Sequence, residues 1–421
     1  MPFGGLLVLW LLGLTYFIWP SLGMLMLVAL SLRHDVRVPP RFGIWLLFLA
    51  WALVSATQLE SPDRALAFGW RMSMYLSATL LFLYVYNSTR ESLPTRTVVN
   101  IVALGWVMVV VGGLLGIAAP RVSLHSAVEL VLPENLLQID LLRDMVTPAL
   151  AKDKAFAALP IYRTQAPFPY PNAWGSNFVL LTPFAIWAAR DFVRSRWRHV
   201  LYALIVASVV PFFFSLDRGA WLALAVGLAY AALRLLLLRD LRAIRLFVGG
   251  AVLLAVLLLL TPLKEIVAVR LDSGYSDEGR LGRTAAAVQL IQESPVFGYG
   301  SPVQSDLNPA NAAVGTHGQL WLVLVSHGLP GAALFLGWLL HLLFRHGKRL
   351  RGASDALFWP HVVILMALLM SPYYELLPMQ MHTIMVAAAL VCRESLARRR
   401  PNLMEGRPAL SSTIGSRLRS A

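Results

Sequence analysis

Charge is scarce in this chain: Asp, Glu, Lys and Arg make up only 14% of its 421 residues, while hydrophobic residues make up 58%. A soluble protein of this length needs more charge to cover its surface, so the composition excludes an ordinary soluble class. The single cysteine, Cys392, excludes an internal disulfide and a multi-cysteine metal site. The sequence also lacks a P-loop, a glycine-rich dinucleotide motif, a His-x-x-x-His pair and an Asp-x-Asp motif, so it predicts neither a cofactor nor a metal.

The net charge of +14 could indicate a nucleic-acid binder. No basic stretch carries the interleaved aromatic residues of a base-stacking surface, however. In a membrane protein, such an excess reflects lysine and arginine in cytoplasmic loops. The N-terminal apolar run has no basic residue before it, so we expect a retained first helix rather than a cleaved signal peptide.

Apolar runs long enough to cross ~30 Å of hydrocarbon recur along the chain. They predict an all-α integral membrane fold of about twelve transmembrane helices. Residues 1–392 form the membrane domain in this prediction, and residues 393–421 form a basic cytoplasmic tail without fixed structure. The predicted spans are 3–19, 21–32, 42–57, 65–86, 98–118, 174–189, 200–216, 220–238, 246–260, 320–344, 357–370 and 379–392. The first two could instead form one long helix or a kinked hairpin.

The distribution of positive charge predicts the topology. With both termini in the cytoplasm, every short basic loop and most of the 36 Lys and Arg residues fall on the cytoplasmic side. Two long segments, 120–173 and 261–319, then lie outside. Within them, residues 128–145 predict an amphipathic helix at the membrane surface, and residues 280–292 predict a second helix.

Cations are rare on the outer side, so each is a candidate site residue. Arg218 sits in a very short outer turn, and an arginine at membrane depth is costly unless it has a function or a partner. Arg280 and Arg283 share a helix face, and two guanidinium groups on one face suit a diphosphate. The alternatives are an ion pair between Arg218 and Asp217, and an ordinary solvated helix face for the other two.

His317 lies at the outer mouth of a predicted span. An imidazole there can act as a general base near neutral pH, although a histidine at a helix start can also be only a polar end residue. Other polar residues share this side and suit an anionic, lipid-linked substrate with a sugar portion: Arg64, Arg71, Arg163, Asn172 and Glu375.

Three motifs on this side resemble those of the O-antigen ligase family, which shares a domain with O-antigen polymerases and pilin oligosaccharyltransferases. Arg218 with Leu222 resembles the Arg-x3-Leu motif, and His317 with Gly328 resembles the His-x10-Gly motif. Gly279-Arg280 through the segment 294–300 resembles the Gly-Arg…Pro-Leu-x-Gly-x-Gly segment, and Pro171-Asn172 the start of a core helix. One departure is Gly318, where many relatives have asparagine.

The resemblance implies a C-type integral-membrane glycosyltransferase of the bacterial inner membrane. It implies transfer of a glycan from undecaprenyl diphosphate to lipid A–core on the periplasmic face, by a metal-independent, inverting reaction without a cofactor. Arg218 and Arg280 would then hold the diphosphate, and His317 would be the general base. Nucleic acid is not expected as a partner.

Alternative functions remain at the level of sequence. A polymerase would use the same donor with a second lipid-linked glycan as acceptor, and the motifs quoted favour the ligase. A transporter or flippase for lipid-linked glycans would carry ionisable residues near the bilayer midplane, whereas here they cluster at the outer ends. A purely structural membrane subunit would leave this clustering unexplained.

Overall fold

The protein is described by a computed structural model that covers residues 2–156, 159–260, 264–265, 267–268, 277–304 and 313–405. Side chains of residues 140–141, 154–161, 242, 246, 254, 257–258, 260, 277–281 and 399–405 lie outside that description. The tail predicted to lack fixed structure comprises residues 393–421, of which residues 406–421 are also outside the description, so the prediction stays untested there. The last helix extends past Cys392 into the start of this tail.

Helices dominate the described chain. In chain order they are α1 Leu6–Leu12, α2 Ile18–Ser31, α3 Gly43–Val54, α4 Pro62–Asn87, α5 Thr95–Ala118, α6 Ala127–Val131, α7 Glu134–Leu137, α8 Asp140–Val146, α9 Pro171–Trp187, α10 Ser195–Ala207, α11 Val209–Phe214, α12 Arg218–Leu237, α13 Leu241–Leu260, α14 Asp277–Glu293, α15 Gln319–Gly347, α16 Phe358–Met370 and α17 Met379–Glu405. Short 3-10 helices span Pro2–Gly5 and Ser55–Gln58, and a π-helical turn, Ala188–Phe192, extends α9. Strands β1 Ala151–Phe156 and β2 Leu159–Thr164 form an antiparallel hairpin.

Five segments of the described chain are long and apolar enough to cross a membrane, by length and composition. They are Pro62–Asn87, Thr95–Ala118, Ser195–Phe214, Arg218–Leu237 and Gln319–Gly347. Shorter apolar helices pack beside them, so the architecture is that of a helical membrane protein. The number of twelve spans and the C-type fold stay predictions.

The core lies where α9 and α17 pack against α4, α5 and α16. Helix α9 is mostly apolar and almost wholly buried, as expected of a helix surrounded by others. Small residues allow close packing elsewhere: a Cβ at Gly23 of α2 would lie 2.7 Å from the Cβ of Ser77 in α4. In lipid, the hydrophobic effect does not drive helices together. Van der Waals packing at such close contacts stabilises the helix bundle instead.

Several predicted helices are interrupted, and the β1–β2 hairpin was not predicted. The prediction of a continuous span at 3–19 is wrong, because Gly13 ends α1 in the left-handed region (φ 77°) and α2 begins only at Ile18. Pro20 lies in the first turn of α2, where a proline is tolerated. The predicted helix at 128–145 is divided into α6, α7 and α8, since Pro133 disfavours helical backbone at Leu132. The predicted helix at 280–292 is confirmed as α14.

The loops gather at two ends of the helix bundle. We call one the basic end, formed by residues 32–42, 88–94, 190–194, 238–240, 348–357 and 393–398. The other is the site end, formed by residues 55–64, 119–170, 215–217, 294–304, 313–318 and 371–378. Polar contacts tie loops within each end, as in the pair Arg190 and Asp240 at the basic end and the pair Arg71 and Glu375 at the site end. This grouping matches the alternation of loops expected from the charge distribution.

Candidate functional site

The part of α15 nearest the site end is interrupted by a break at Gly328. Gly328 has non-helical backbone angles (φ 67°, ψ −172°) inside this helix. The interruption exposes two backbone carbonyl groups of the helix. Val325 O accepts a hydrogen bond from Tyr299 N (2.9 Å), and Ser326 O accepts one from Gly300 N (2.7 Å). A Cβ at Gly328 would collide with the carbonyl of Val296. The glycine of the His-x10-Gly motif therefore makes room for the Gly-x-Gly segment.

Arg64 ties the start of α4 to that segment. Its side chain donates to the carbonyl oxygen of Tyr299 and pairs at 3.4 Å with the exposed Glu60. On the other side, the Tyr299 hydroxyl donates to Glu293 at the end of α14 (2.9 Å). Burial, and then this bond to Glu293, raise the pKa of Tyr299 to about 12. Hydrogen bonds from Gln289 and Tyr299 lower the pKa of Glu293.

His317 is exposed in the turn that precedes α15. Its Nδ1 lies 3.1 Å from the hydroxyl of Thr316, which donates its single hydrogen to the carbonyl of Ala313 (3.0 Å). The hydroxyl must therefore accept from Nδ1–H, which leaves Nε2 of the neutral ring as the nitrogen with a lone pair. This tautomer suits a proton acceptor at the surface of the site.

Gln319, the first residue of α15, anchors the histidine turn. Its backbone N–H donates to Tyr374 O (2.7 Å), and its buried side chain donates to the hydroxyl of Tyr75 (2.5 Å) and accepts from Leu376 N (3.0 Å). A Cβ at Gly318 would collide with the carbonyl of Pro372. Residue 318 is thus glycine, where many relatives have asparagine, at a point where the loop 371–378 lies close to the backbone.

Tyr374 connects this loop to the turn that holds Arg218. Its hydroxyl donates to the buried carboxylate of Asp217, which also caps α12 by accepting from Ala220 N (3.4 Å). Arg218 is the next residue and is half-buried. The sequence suggested Asp217 as an ion-pair partner of Arg218; in the structure, Asp217 caps the helix and binds Tyr374.

Arg163 holds the other side of the same turn. From the end of β2, its Nε donates to Ser215 O (2.8 Å) and its Nη2 to Asn172 Oδ1 (3.1 Å). Asn172 lies in the first turn of α9, directly after Pro171 at the position that favours proline. The buried Arg163 thus fixes the entry into α9 relative to the Arg218 turn.

Arg71 and Glu375 face each other across α4 and the last loop. The Nε of Arg71 lies 3.4 Å from Glu375 Oε1, and the two side chains are 19% and 32% exposed. A long, partly solvated pair of this kind contributes little to stability. Both groups are therefore partly exposed at the site end.

Two of the predicted site residues lie on α14. Arg283 is half-buried there, and the helix packs through Ala286, Ala287 and Leu290 against Val325 of α15. The backbone of Arg280 is helical, but its side chain lies outside the described residues. The structure therefore brings α14 to the broken part of α15, while the role of Arg280 stays a prediction.

The structure thus links most of the predicted residues at one end of the bundle. The residues that sequence reasoning missed are those that connect them, chiefly Tyr374, Gln319 and Tyr75. Their partners are distant in sequence, so only the position of Tyr374 beside Glu375 could have drawn attention to one of them. Among the described residues, no group of three or more His, Cys, Asp or Glu is arranged to hold a metal ion.

These features define a helical membrane protein with a polar site, rich in arginine, at one end. The O-antigen ligase family model matches residues 203–336, from α10 to the middle of α15. The match confirms that the chain resembles the O-antigen ligase family over this segment. It supports, in general terms, an enzyme of the O-antigen ligase or polymerase type that takes a lipid-linked glycan and a lipid acceptor.

The matched segment contains Arg218, Arg280, His317 and Gly328, the motif positions. It does not include Arg64, Arg71, Arg163, Asn172 or Glu375, which reach the same end through the contacts described above. No curated protein and no solved structure matches the chain.

Proposed function

We propose that the protein is an O-antigen ligase, which transfers a glycan from undecaprenyl diphosphate to a sugar hydroxyl of lipid A–core. The site end would face the periplasm of the bacterial inner membrane. The observation that carries this proposal is the path of hydrogen bonds from the His317 turn to the Arg218 turn. That path runs through Gln319 and Tyr374 and ends at Asp217, beside Arg218.

The reaction would be a single displacement. The acceptor hydroxyl attacks the anomeric carbon and forms the new C–O bond while the bond from that carbon to the diphosphate breaks. The electron pair of the broken bond leaves with the diphosphate, and the proton of the hydroxyl moves to Nε2 of His317. Attack opposite the leaving group inverts the anomeric centre. The tautomer set by Thr316 supports this role, since it leaves Nε2 as the acceptor.

Arginine side chains would bind the donor substrate. Arg218 and Arg280 would bind the diphosphate and stabilise the charge that develops on it, with Arg283 beside them. Arg64, Arg71 and Glu375 would border the sugar portion, while Arg163 and Asn172 would support the Arg218 turn. Because diphosphate is a good leaving group, positioning and charge stabilisation can supply most of the acceleration without a metal.

The test is transfer by purified protein from an undecaprenyl-diphosphate-linked glycan, with and without lipid A–core. We expect a product only when lipid A–core is present. Chain lengthening without it would identify a polymerase, and the absence of both products would favour a transporter. A chelator should leave activity intact; loss that a divalent ion restores would contradict a metal-independent reaction.

Variants test the roles of single residues. We expect His317→Ala to lower transfer by at least about a hundredfold, the usual contribution of a general base. Arg280→Ala should lower it by about a hundredfold or more, as expected for the loss of a group that stabilises developing charge. His125→Ala and Arg121→Ala are matched controls, because both residues are at the site end but bind local partners, Glu129 and Tyr162. Full transfer by folded His317→Ala protein would exclude the general-base role.

A further inference from the structure

His327 lies directly before the break at Gly328, inside the helix bundle. It is 5% exposed, and its ring meets Phe48 and Phe68 edge to face, with centroid distances of 6.1 and 6.5 Å. A polar ring in such surroundings is costly unless its polar atoms are hydrogen-bonded. A leucine could fill the same space without that cost, so packing alone does not account for a histidine at this position.

The imidazole of His327 binds the end of α3. Its Nδ1 lies 2.7 Å from Oγ of Ser55, a fully buried residue that begins the 3-10 turn after α3. The same Oγ donates its single hydrogen to Ala52 O (2.7 Å), so it accepts from Nδ1–H. One turn earlier, Nε1 of Trp51 donates to the carbonyl oxygen of His327 (2.9 Å). The side chain and the backbone of one residue thus hold two successive turns of α3.

The Gly-x-Gly segment, residues 298–300, lies against both partners of this bond. A Cβ at Gly300 would lie 2.8 Å from the carbonyl oxygen of Ser55. A Cβ at Gly298 would lie 2.7 Å from the backbone nitrogen of His327. Both glycines are in close contact with these groups, so a change in the spacing between His327 and Ser55 must displace the segment.

This junction lies between the two groups of residues proposed for catalysis. The Gly-x-Gly segment follows α14, which carries Arg280 and Arg283, while His317 lies in the turn before α15. The distance between these arginines and the histidine therefore depends on how the segment packs against α15. Reaction rates are sensitive to such distances, since a displacement of about 1 Å can cost about a hundredfold.

We propose that His327 is a positioning residue for glycan transfer. Its bond to Ser55 fixes the Gly-x-Gly segment in the break of α15, and the segment fixes α14 relative to the His317 turn. Because the ring is buried, it acts through these groups and does not contact the reacting atoms. The inference rests on the proposed function for the transfer itself, whereas the structural effect of His327 can be measured without it.

Hydrogen exchange of the full-length protein, followed by mass spectrometry, measures the structural effect. The amides of Tyr299 and Gly300 donate to carbonyl groups of α15 and should exchange slowly. His327→Leu fills the space of the ring but loses the bond to Ser55, so peptides covering 298–300 should exchange at least about tenfold faster. His327→Asn keeps an N–H donor near the position of Nδ1 and should exchange within about threefold of the natural protein.

His361→Leu is the matched control. His361 is also fully buried and also bonds a hydroxyl group, that of Tyr230 (2.7 Å), but it lies in the first turn of α16, next to the basic end. Its replacement should leave exchange at 298–300 unchanged. Equally fast exchange in both leucine variants would show a general loosening of the bundle and contradict a local role. Unchanged exchange in a folded His327→Leu protein would overturn the proposal.

Steady-state transfer tests the catalytic consequence. His327→Leu should lower kcat about tenfold to a hundredfold and leave the KM for lipid A–core within about threefold, because the arginines that bind the donor are displaced rather than the acceptor site. His327→Asn should restore most of kcat. Faster exchange with an unchanged kcat would overturn the positioning role. Absence of transfer by the natural protein would refute the proposed function instead, and the exchange rates would still decide whether His327 holds the segment.

Ser55→Ala removes the other partner of the bond and keeps the proposal testable if His327→Leu does not fold. It should reproduce the faster exchange and the lower kcat. Combining it with His327→Leu should add little, since both substitutions remove the same bond. Exchange and kcat equal to those of the natural protein would overturn the proposal.

Discussion

The two ends of the molecule use the same residue types in opposite ways. At the basic end, two carboxylates are buried against arginines: the side chains of Glu394 and Asp355 are 3% and 2% exposed. At the site end, the carboxylates paired with Arg71 and Arg64 are accessible, with Glu375 32% exposed and Glu60 85% exposed. Burial of a charge is tolerated only with close partners, so the basic end is built around pairs that cannot separate cheaply.

The difference indicates a division of labour. Glu394 joins Arg90, Thr95 and Arg393, and thereby closes α17 onto the loop before α5. At the site end, Arg64 and Arg163 instead donate to backbone carbonyls and thus shape loops. We infer that the basic end contributes stability, whereas the site end presents arginines and a carboxylate that can exchange partners when an anionic substrate arrives.

Removing one carboxylate at each end gives the largest expected contrast. Glu394→Ala leaves Arg393, itself almost fully buried, without its carboxylate, and should cost about 3–5 kcal/mol of stability. Glu375→Ala breaks a long, partly solvated pair and should cost less than about 1 kcal/mol. The melting temperatures of the two purified variants measure the contrast.

Similar melting temperatures for the two variants would contradict this division. Glu375→Ala should instead lower glycan transfer, because the carboxylate borders the proposed sugar site. Normal transfer by Glu375→Ala, together with normal stability, would remove Glu375 from the site.

Glycine substitution in α15 sharpens the comparison, since the site end depends on a broken helix. Gly328→Ala forces a Cβ against the Val296 carbonyl and requires a backbone conformation that alanine avoids, at about 1–3 kcal/mol. The Gly-x-Gly segment should then lose its hydrogen bonds to Val325 and Ser326. We expect transfer to be lost while the bundle still folds.

Gly337→Ala is the control within the same helix. A Cβ at Gly337 meets nothing within 4 Å, so alanine should be neutral or stabilise the helix by up to about 1 kcal/mol. Equal loss of transfer in both variants would mean that any glycine in α15 matters. The melting temperature and the transfer rate, measured side by side, distinguish the two outcomes.

The sequence predicted the helices better than their interruptions. The predicted span 65–86 corresponds to α4, Pro62–Asn87, and the span 357–370 to α16, Phe358–Met370, because long apolar runs follow from the thickness of the bilayer. The break at Gly328 was not predictable from α15 alone. It depends on a segment 28 or more residues earlier that docks into it, such as Gly300.

For the site as well, the sequence predicted individual residues better than the contacts that join them. Arg218 and His317 could be selected by motif and side of the membrane, and the structure links their turns. The links themselves could not be predicted, since Tyr374 bonds to Asp217 and Gln319 bonds to Tyr75 across long stretches of chain. Hydrogen bonds between distant segments leave no periodic pattern in a sequence.

The smallest expected effect concerns pH, at the bond between Tyr299 and Glu293. The pKa of Glu293 is lowered from its ordinary 4.5, so its contribution is present above that pH and is lost as the pH falls through the lowered value. The pKa of Tyr299 is raised from 10.0 to about 12, so its contribution is present below pH 10 and is lost as the pH rises towards 12. Between these limits the bond holds the Gly-x-Gly segment to α14.

Glu293→Gln tests the acidic limit, because glutamine resembles the protonated carboxyl group. At neutral pH the variant should melt slightly below the natural protein, and the gap should close as the pH falls below 4.5, where Glu293 itself becomes neutral. Glu293 is exposed, so the gap should be smaller than that of Glu394→Ala. A gap that persists at low pH would mean that Glu293 acts through packing rather than charge, and the site end would then resemble the basic end in this respect.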